Sequence, residues 1–156
     1  CVFNYRNAVQ INTKKALGHT GWGFQIGGTN YYIYGSDDGP DKNNVKNWHQ
    51  YNNTRANMMN WFKNQHYNYY VCEKVPNSAV TAALKMISTV KNKPYNIPQS
   101  YSLSDTIKIL TAYNAPGIPP FTDLPSSYIP SDWFDNLPYD GNSKYGGSWS
   151  NFKDCC

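Results

Sequence analysis

The chain has 156 residues, of which 40% are apolar and only 15% are charged, and its net charge is +4 at neutral pH. This length suits one domain with a hydrophobic core. The basic residues are scattered, without the clustered stripe typical of nucleic-acid binding, and no stretch approaches the roughly 18 consecutive apolar residues of a membrane span. We therefore expect a single domain, residues 1–156, that neither binds nucleic acid nor inserts stably into a membrane.

The uncharged part of the composition is rich in tyrosine, tryptophan and asparagine, with 14 tyrosines and 5 tryptophans. Such a polar but uncharged surface suits a protein that works outside a cell or in contact with glycan, although an AT-rich genome would produce the same bias. The chain carries no signal-peptide pattern. We expect it to be a domain cut from a longer polypeptide or a matured product.

The four cysteines are Cys1, Cys72, Cys155 and Cys156. In an oxidising compartment we expect Cys1 to pair with Cys155 or Cys156, because the termini of a domain often lie close together. Cys72 lies inside a predicted strand, where a structural cysteine or a disulfide partner is favoured over a nucleophile. No CxxC spacing exists and the histidines are distant in sequence, so neither a metal site nor a cofactor is expected.

In chain order, the first clear pattern is a β-hairpin. Apolar and small or polar residues alternate over 22–26, which predicts a strand. A turn at 27–30 then leads into an aromatic strand at 31–34. Residues 1–17 show no clear period, and a polar loop is predicted over 35–47.

Three helices are predicted after this loop. Thr54 caps a helix that runs to Asn64. Apolar residues follow helical spacing over 80–90, and the proline at position 94 ends that helix. A third helix begins at Tyr101 or Ser102.

A strand over 67–75 separates the first two helices, and no regular period follows position 120. That last part is rich in proline, glycine, aspartate and serine, so we expect an irregular C-terminal extension over 121–156. Aromatic side chains should pin it to the domain core, which covers about 16–120. These aromatic residues are Trp133, Phe134 and Trp149.

One histidine stands out at the start of the hairpin. His19 shares its strand face with Gly21 and Gly23, while Trp22 and Phe24 belong to the opposite face, which should be core. Glycines beside a histidine leave room for a substrate or another backbone. Histidine is also the usual general base at neutral pH. His19 is thus a candidate catalytic base, with a core histidine as the alternative; the other two histidines, at 49 and 66, are expected at the surface or an interface.

The candidate nucleophile position lies at the start of the third helix, in the segment YNIPQSYSLSD at 95–105. A residue there meets the positive end of the helix dipole and free backbone N–H groups. A thiol in that place is activated, and its own N–H can hold an oxyanion. Ser102 occupies this position.

These motifs, in this order, resemble the circularly permuted NlpC-type papain-like superfamily, which includes lecithin–retinol acyltransferase relatives and a bacterial toxin and effector branch. Family effectors carry a GH-x-G strand, a YY-type strand and a YNLxxNNC helix start; this chain has GHTGWGF, YYIYGSDDG and YNIPQSYSLSDTIKIL. The resemblance covers about 16–120. It implies an α+β, papain-like permuted NlpC fold, with a small antiparallel sheet packed against helices.

The resemblance also implies a papain-like hydrolase, an amidase, peptidase or acyl hydrolase. His19 would be the base, position 102 would attack the carbonyl, and the N–H groups of the helix start would hold the oxyanion. The implied substrates are peptidoglycan peptides, protein amides or lipid acyl groups. Such an antibacterial effector is secreted or delivered into a target cell, with the periplasm or envelope favoured, and has a cognate immunity protein as a partner.

The chain departs from the family at the nucleophile, which is cysteine there and Ser102 here. Three interpretations stay open: an inactivating replacement, a native serine nucleophile that depends on His19, or a natural pseudoenzyme. The third polar residue should come from the strand after the histidine strand, where Tyr34 is chosen over Tyr32 and Ser36, with simple packing as the alternative. The alternative function is a non-catalytic secreted module that binds carbohydrate or protein through exposed aromatic residues.

Overall fold

One antiparallel sheet organises the residues that the computed structural model describes, which are 1–6, 18–40, 46–95, 101–119, 129–137 and 153–154. Its strands are β1 (Val2–Tyr5), β2 (His19–Gln25), β3 (Tyr31–Pro40), β4 (Lys46–Thr54), β5 (Tyr69–Val71) and the two-residue β6 (Lys153–Asp154). They lie in the order β4-β3-β2-β1-β5-β6, and every neighbouring pair is antiparallel.

The helices among these residues are α1 (Arg55–Asn64), α2 (Val80–Lys91), α3 (Ser102–Ala112) and α4 (Pro130–Asp135). The predicted class, an α+β fold with a small antiparallel sheet packed against helices, is confirmed. Within the described residues no helix is long and apolar enough to cross a membrane.

The predicted hairpin forms from β2 and β3. Ile26 N–H donates to the carbonyl of Tyr31 at 2.9 Å, which closes the turn. Gly28 has a φ of 67°, the left-handed conformation that glycine adopts without steric cost. Beyond the turn Phe24 lies opposite Ile33, so the apolar residues of both strands share one face.

The two faces of β2 pack against different helices. The glycines of the strand allow α1 to pack closely on one face. A Cβ atom on Gly21 would collide with the ring of Phe62, and one on Gly23 would collide with Sδ of Met58. Both contacts belong to α1, so this helix packs closely against the glycine-bearing side of the sheet, here called the α1 face. His19 lies on the same face because side chains alternate along a strand.

The opposite side of the sheet, here called the α3 face, holds the larger core. Trp22 and Phe24 pack there in one cluster with Leu103 and Ile107 of α3. All four side chains are at most 2% exposed. Helix α2 adds Ala83, Ile87 and Val90 to the same core.

The three predicted helices are confirmed, and side-chain hydrogen bonds cap the starts of α1 and α3. The Thr54 hydroxyl accepts a hydrogen bond from Asn57 N–H at 3.4 Å, which caps α1 as expected. At the start of α3, Ser104 Oγ accepts from Tyr101 N–H at 2.9 Å. Helix α4 is a finding beyond the expected irregular wrap, and it buries Trp133.

Four strands differ from the expectation, and one of them, β5, is shorter than the strand predicted over 67–75 because it covers only Tyr69–Val71. Residues 35–47 were predicted as a polar loop, but β3 continues to Pro40 and β4 starts at Lys46. Ser36 bonds to Asp38 and Lys46 pairs with Asp37, so polar side chains of these strands have partners within the fold in place of apolar alternation. Strand β1 lacks a visible period because it has only four residues; the expected anchor Trp149 lies outside the described residues.

The expected pairing of Cys1 with Cys155 or Cys156 is wrong, because Cys1 forms a disulfide with Cys72. The register explains this bond: β1 pairs with β5, and Val2 lies opposite Val71. The residues just beyond that pair, Cys1 and Cys72, are therefore neighbours at the end of the ladder. The other two cysteines lie outside the described residues.

Breaking this disulfide should destabilise the domain. The two cysteines are 71 positions apart, and loop closure over that length corresponds to about 4 kcal/mol in the entropy model. We expect Cys72→Ala to lower the free energy of unfolding by roughly 2–4 kcal/mol in urea denaturation. Cys1→Ala should have the same effect, and an unchanged midpoint in either variant would contradict the assignment.

Candidate functional site

His19 has a carboxylate partner on the neighbouring strand. Its Nε2 lies 3.0 Å from Oδ1 of Asp38, and the two side chains are 8% and 25% exposed. The contact follows from the register, since Gly21 lies opposite Ser36 and two residues further along each strand bring His19 to Asp38. A buried imidazole and a half-buried carboxylate thus form a dyad at one end of the sheet.

The same carboxylate serves a second imidazole and two hydroxyl groups. His49 Nε2 lies 3.1 Å from Oδ2 of Asp38. Ser36 Oγ donates to Oδ1 at 2.5 Å, and the Tyr67 hydroxyl donates to the same oxygen at 3.3 Å. We call this group of five residues the Asp38 centre. Its defining feature is one carboxylate between two imidazoles.

Local structure brings the two outer members into place. His49 lies directly opposite Ser36 in the β3–β4 ladder. Tyr67 follows the end of α1, where His66 takes a φ of 66° and Tyr67 N–H donates to the carbonyl of Phe62. This left-handed turn is the usual way to close a helix C-terminus, and it turns Tyr67 back under the sheet.

Asp38 is held in its ionised form. Burial alone would raise its pKa, but the hydrogen bond and charge of His19, together with Ser36 and His49, outweigh burial and lower the pKa below its ordinary value. Burial, followed by the charge of Asp38, raises the pKa of Tyr67 well above its ordinary value. Asp38 is therefore an acceptor at neutral pH, and the Tyr67 hydroxyl keeps the proton that it donates.

An aromatic rim borders the centre on the side of β4. The rings of His49 and Trp61 lie 5.7 Å apart, and those of Tyr51 and Trp61 lie 5.2 Å apart. Tyr51 is 41% exposed, and the His49 side chain is 27% exposed. Of the two imidazoles, His49 is therefore the one that a molecule in solvent can reach.

The predicted nucleophile lies on the other face of the sheet. Ser102 is the first residue of α3, and it is 2% exposed. Leu103 of α3 belongs to the same core cluster as Trp22 on the α3 face, whereas His19 points to the α1 face, where its ring lies near that of Tyr67. Among the described residues, which include both, no hydrogen bond joins His19 to Ser102.

Tyr34, the expected third residue, lies on the same face as His19 but not beside it. It pairs with Gly23, four positions further along β2. Its ring packs against Phe62 and Trp61, and burial, with a further contribution from Tyr51, raises its pKa. Its surroundings are those of a packing residue, and Asp38 takes the position beside His19 that the sequence assigned to Tyr34.

A second polar cluster lies on the α3 face, next to Asp38 in sequence but separated from it by the sheet. Lys46 Nζ donates to Oδ2 of Asp105 at 2.6 Å and to the carbonyl of Val90 at 2.8 Å, and it lies 3.3 Å from Oδ2 of Asp37. These three charged side chains are at most 4% exposed. The cluster ties β3 and β4 to helices α2 and α3, which is a structural role.

A cavity of about 470 Å³ lies at the other end of β2. It is lined by Gly23, Phe24 and Gln25 of β2 and by the disulfide between Cys1 and Cys72, but by no residue of the Asp38 centre. The described residues contain no group of three potential ligands placed to hold a metal ion.

Comparisons of the chain with protein-family models, with curated proteins and with solved structures find no match. The resemblance to the permuted NlpC-type superfamily thus depends on the motifs GHTGWGF, YYIYGSDDG and YNIPQSYSLSDTIKIL alone.

The second polar cluster predicts that Asp37 contributes more to the stability of the domain at acidic pH than at neutral pH. Burial, with a further contribution from Asp105, outweighs Lys46 and raises the pKa of Asp37 from 3.8 to about 6. A carboxyl whose pKa is raised on folding favours the folded state when protonated, so its contribution to stability falls as the pH rises from about 4 to 6. We expect Asp37→Asn to remove this fall, measured as the difference in unfolding free energy between wild type and variant across that range.

The matched control is Asp135→Asn, which removes a carboxylate that pairs with Arg6 and is 45% exposed. This variant is the reference for the loss of a carboxylate at an exposed position. A difference for Asp37→Asn that falls no more steeply over this pH range than the difference for Asp135→Asn would contradict the assignment.

Proposed function

We propose that this domain hydrolyses amide or ester bonds by general acid–base catalysis at the Asp38 centre. The observation that carries the proposal is the carboxylate of Asp38 between two imidazoles, one of them accessible from solvent. A carboxylate fixes the tautomer and orientation of a histidine and stabilises the imidazolium that forms when the ring takes up a proton. Histidine bases of this kind typically contribute roughly 10²–10⁴-fold to a rate.

We assign the role of base to His49 and a positioning role to His19. His49 is the more exposed ring, and its Nε2 is committed to Oδ2 of Asp38, which leaves Nδ1 for a water molecule. His19, Ser36 and Tyr67 all contact the other carboxylate oxygen. These three groups hold the carboxylate in one orientation, so that the His49 ring is held in turn.

The reaction follows from these roles. Nδ1 of His49 accepts a proton from water while the water oxygen adds to the substrate carbonyl carbon, which gives a tetrahedral oxyanion. When the intermediate collapses, the bond to the leaving nitrogen or oxygen breaks and the imidazolium returns its proton to that atom. The products are a carboxylic acid and an amine or alcohol, and both histidine and Asp38 return to their starting states.

We also infer that the fold is of the permuted NlpC papain-like type. The order of elements supports this, because a strand with the GH motif precedes an aromatic strand and a later helix opens at Ser102. The catalytic centre proposed here differs from that of the family, since it uses water where the family uses a cysteine at the helix start.

The surroundings in which the domain acts are part of the proposal. The disulfide between Cys1 and Cys72 fits an oxidising compartment, such as the bacterial periplasm. Peptidoglycan peptides, proteins and lipid acyl groups are the substrates considered, and a cognate immunity protein is the expected partner of a toxic effector of this kind.

A non-catalytic binding module is the second candidate, because the aromatic rim includes Tyr51 and Trp61 and Tyr31 is 52% exposed. Such rings stack on sugars or pack on peptides. Asp38→Asn distinguishes the two candidates, because it should strongly reduce hydrolysis by an enzyme but leave binding by a module unchanged.

Activity should depend on His49 and not on Ser102. Against p-nitrophenyl esters, peptide anilides and purified peptidoglycan, we expect His49→Gln and Asp38→Asn each to lower kcat/KM by roughly 10²–10⁴-fold. Ser102→Ala should stay within about twofold of wild type, because α3 packs on the other face.

The matched control for His49→Gln is His66→Asn, which removes an exposed imidazole at a left-handed position that asparagine tolerates. This variant should retain wild-type activity. A loss in Ser102→Ala as large as that in His49→Gln would overturn the assignment of the catalytic face.

Restoring the family's thiol should not create an active site. A cysteine at position 102 would gain activation from the start of α3, but the sheet separates it from the imidazole of His19. We expect Ser102→Cys to show no hydrolysis and no growth arrest beyond those of wild type, whether it is expressed in the cytoplasm or the periplasm. A new activity that disappears on adding His19→Ala would contradict the separation of the two residues.

A further inference from the structure

The outer edge of β4 is open within the described part of the chain, where β4 is the last strand on its side of the sheet and no other strand lies beyond it. From Asn47 to Thr54 its sequence is NWHQYNNT, without a charged residue or a proline, whereas Lys46 and the register shift at Asp37/Pro40 lie at the start of the strand. Natural sheets usually protect such an edge with lysine, proline, a bulge or a covering segment.

The hydrogen-bond pattern of β3 shows which of its residues bond to β4. Ile26 N–H donates to the carbonyl of Tyr31 across the hairpin. In an antiparallel ladder the backbone groups of alternate residues point to the same neighbour, so Ile33 also bonds to β2. The residues between them, Tyr32 and Tyr34, therefore bond to the strand on the other side, which is β4.

The same alternation continues into β4. Tyr34 pairs with Tyr51, so the backbone of Tyr51 is turned towards β3. The residues between these bonded positions, Trp48, Gln50 and Asn52, turn their N–H and C=O groups outward. Three consecutive donor and acceptor pairs are thus presented along the open edge, which is the pattern that an extended peptide backbone satisfies.

We propose that the β4 edge binds an extended, uncharged peptide segment as an added strand and that this peptide is the substrate of the Asp38 centre. The inference deepens the proposed hydrolase function and depends on it for the cleavage step. The row of outward backbone groups selects a peptide, since neither a sugar nor an acyl chain offers alternating amide donors and acceptors at strand spacing.

The geometry places such a strand beside the proposed base. An added strand lies about 4.8 Å from β4. The peptide residue opposite His49 belongs to a pair without mutual hydrogen bonds, in which the Cα atoms are about 4.5 Å apart. Side chains of the peptide on that face then meet the rings of Tyr51 and Trp61, so the aromatic rim supplies apolar contacts.

The test uses a proline that removes one outward N–H without touching the bonds to β3. Gln50→Pro deletes the central donor of the row, while Gln50→Ala changes the same side chain and keeps the donor. Each is combined with Asp38→Asn to prevent turnover. The probe is a library of uncharged fluorescein-labelled decapeptides, measured by fluorescence anisotropy, and circular dichroism reports whether each variant is folded.

We expect the background variant and Gln50→Ala to bind the library members equally, and Gln50→Pro to bind them at least about tenfold more weakly. A second measurement needs no mutation at the edge. One peptide is N-methylated at every odd amide and another at every even amide, and only one of these two patterns should weaken binding. Equal binding by Gln50→Pro and Gln50→Ala, or equal binding of the two N-methylated peptides, would overturn the proposal.

Different outcomes would reject the peptide-binding edge and the hydrolase proposal. Binding to the edge without Asp38-dependent cleavage of the bound peptides would leave a peptide-binding edge and reject the hydrolase. Asp38-dependent hydrolysis of small esters without peptide binding would retain the hydrolase and reject the edge. Dimerisation of wild type in sedimentation, lost in Gln50→Pro and without peptide binding, would assign the edge to a second copy of the chain and overturn the proposal.

Discussion

The contact of α1 with the glycines of β2 determines which face of the sheet carries His19 and which face packs against α3. Because Gly21 and Gly23 carry no side chain, Phe62 and Met58 approach the sheet where any other residue would collide with them. Helix α1 therefore occupies this face, and His19 is the remaining side chain of the strand that can do chemistry there. The apolar side chains of β2 are left for the opposite face, where α3 completes the core.

This division gives two successive aspartates opposite roles. Asp37 points to the α3 face, where Lys46 and Asp105 hold it in a buried ionic cluster. Asp38 points to the α1 face, where it contacts both His19 and His49. The first carboxyl has a raised pKa and joins elements of the fold, while the second has a lowered pKa and is available as a partner for a base.

Much of the framework is predictable from local sequence, while the site is predictable only in part. The hairpin of β2 and β3 and the helices α1, α2 and α3 follow from alternation, helical spacing and capping residues such as Thr54. The sequence does single out His19 as a candidate, because a histidine beside glycines is an unusual pattern on a strand face. Asp38 is not identified by the sequence because it lies in a polar region that predicts a loop, and His49 is expected only at the surface or an interface.

The pairing of His19 with Ser102 shows what sequence order cannot supply. Two motifs in the right order fix neither the face of the sheet on which a helix packs nor the register that selects a partner. The apolar residues of α3 pack in the cluster of Trp22, so α3 and its first residue, Ser102, lie on the face of the sheet opposite to His19. The disulfide between Cys1 and Cys72 likewise follows from the pairing of β1 with β5, which is a long-range contact with no local signal.

The central claim is that Asp38 acts through His49 as one acid–base unit, and a double-mutant cycle on kcat/KM tests it most directly. If the two residues form a unit, Asp38→Asn should cost roughly 10²–10⁴-fold in the wild-type background and almost nothing further in a His49→Gln background. Additive losses, with Asp38→Asn equally harmful in both backgrounds, would mean that the carboxylate and the imidazole act independently and would contradict the account.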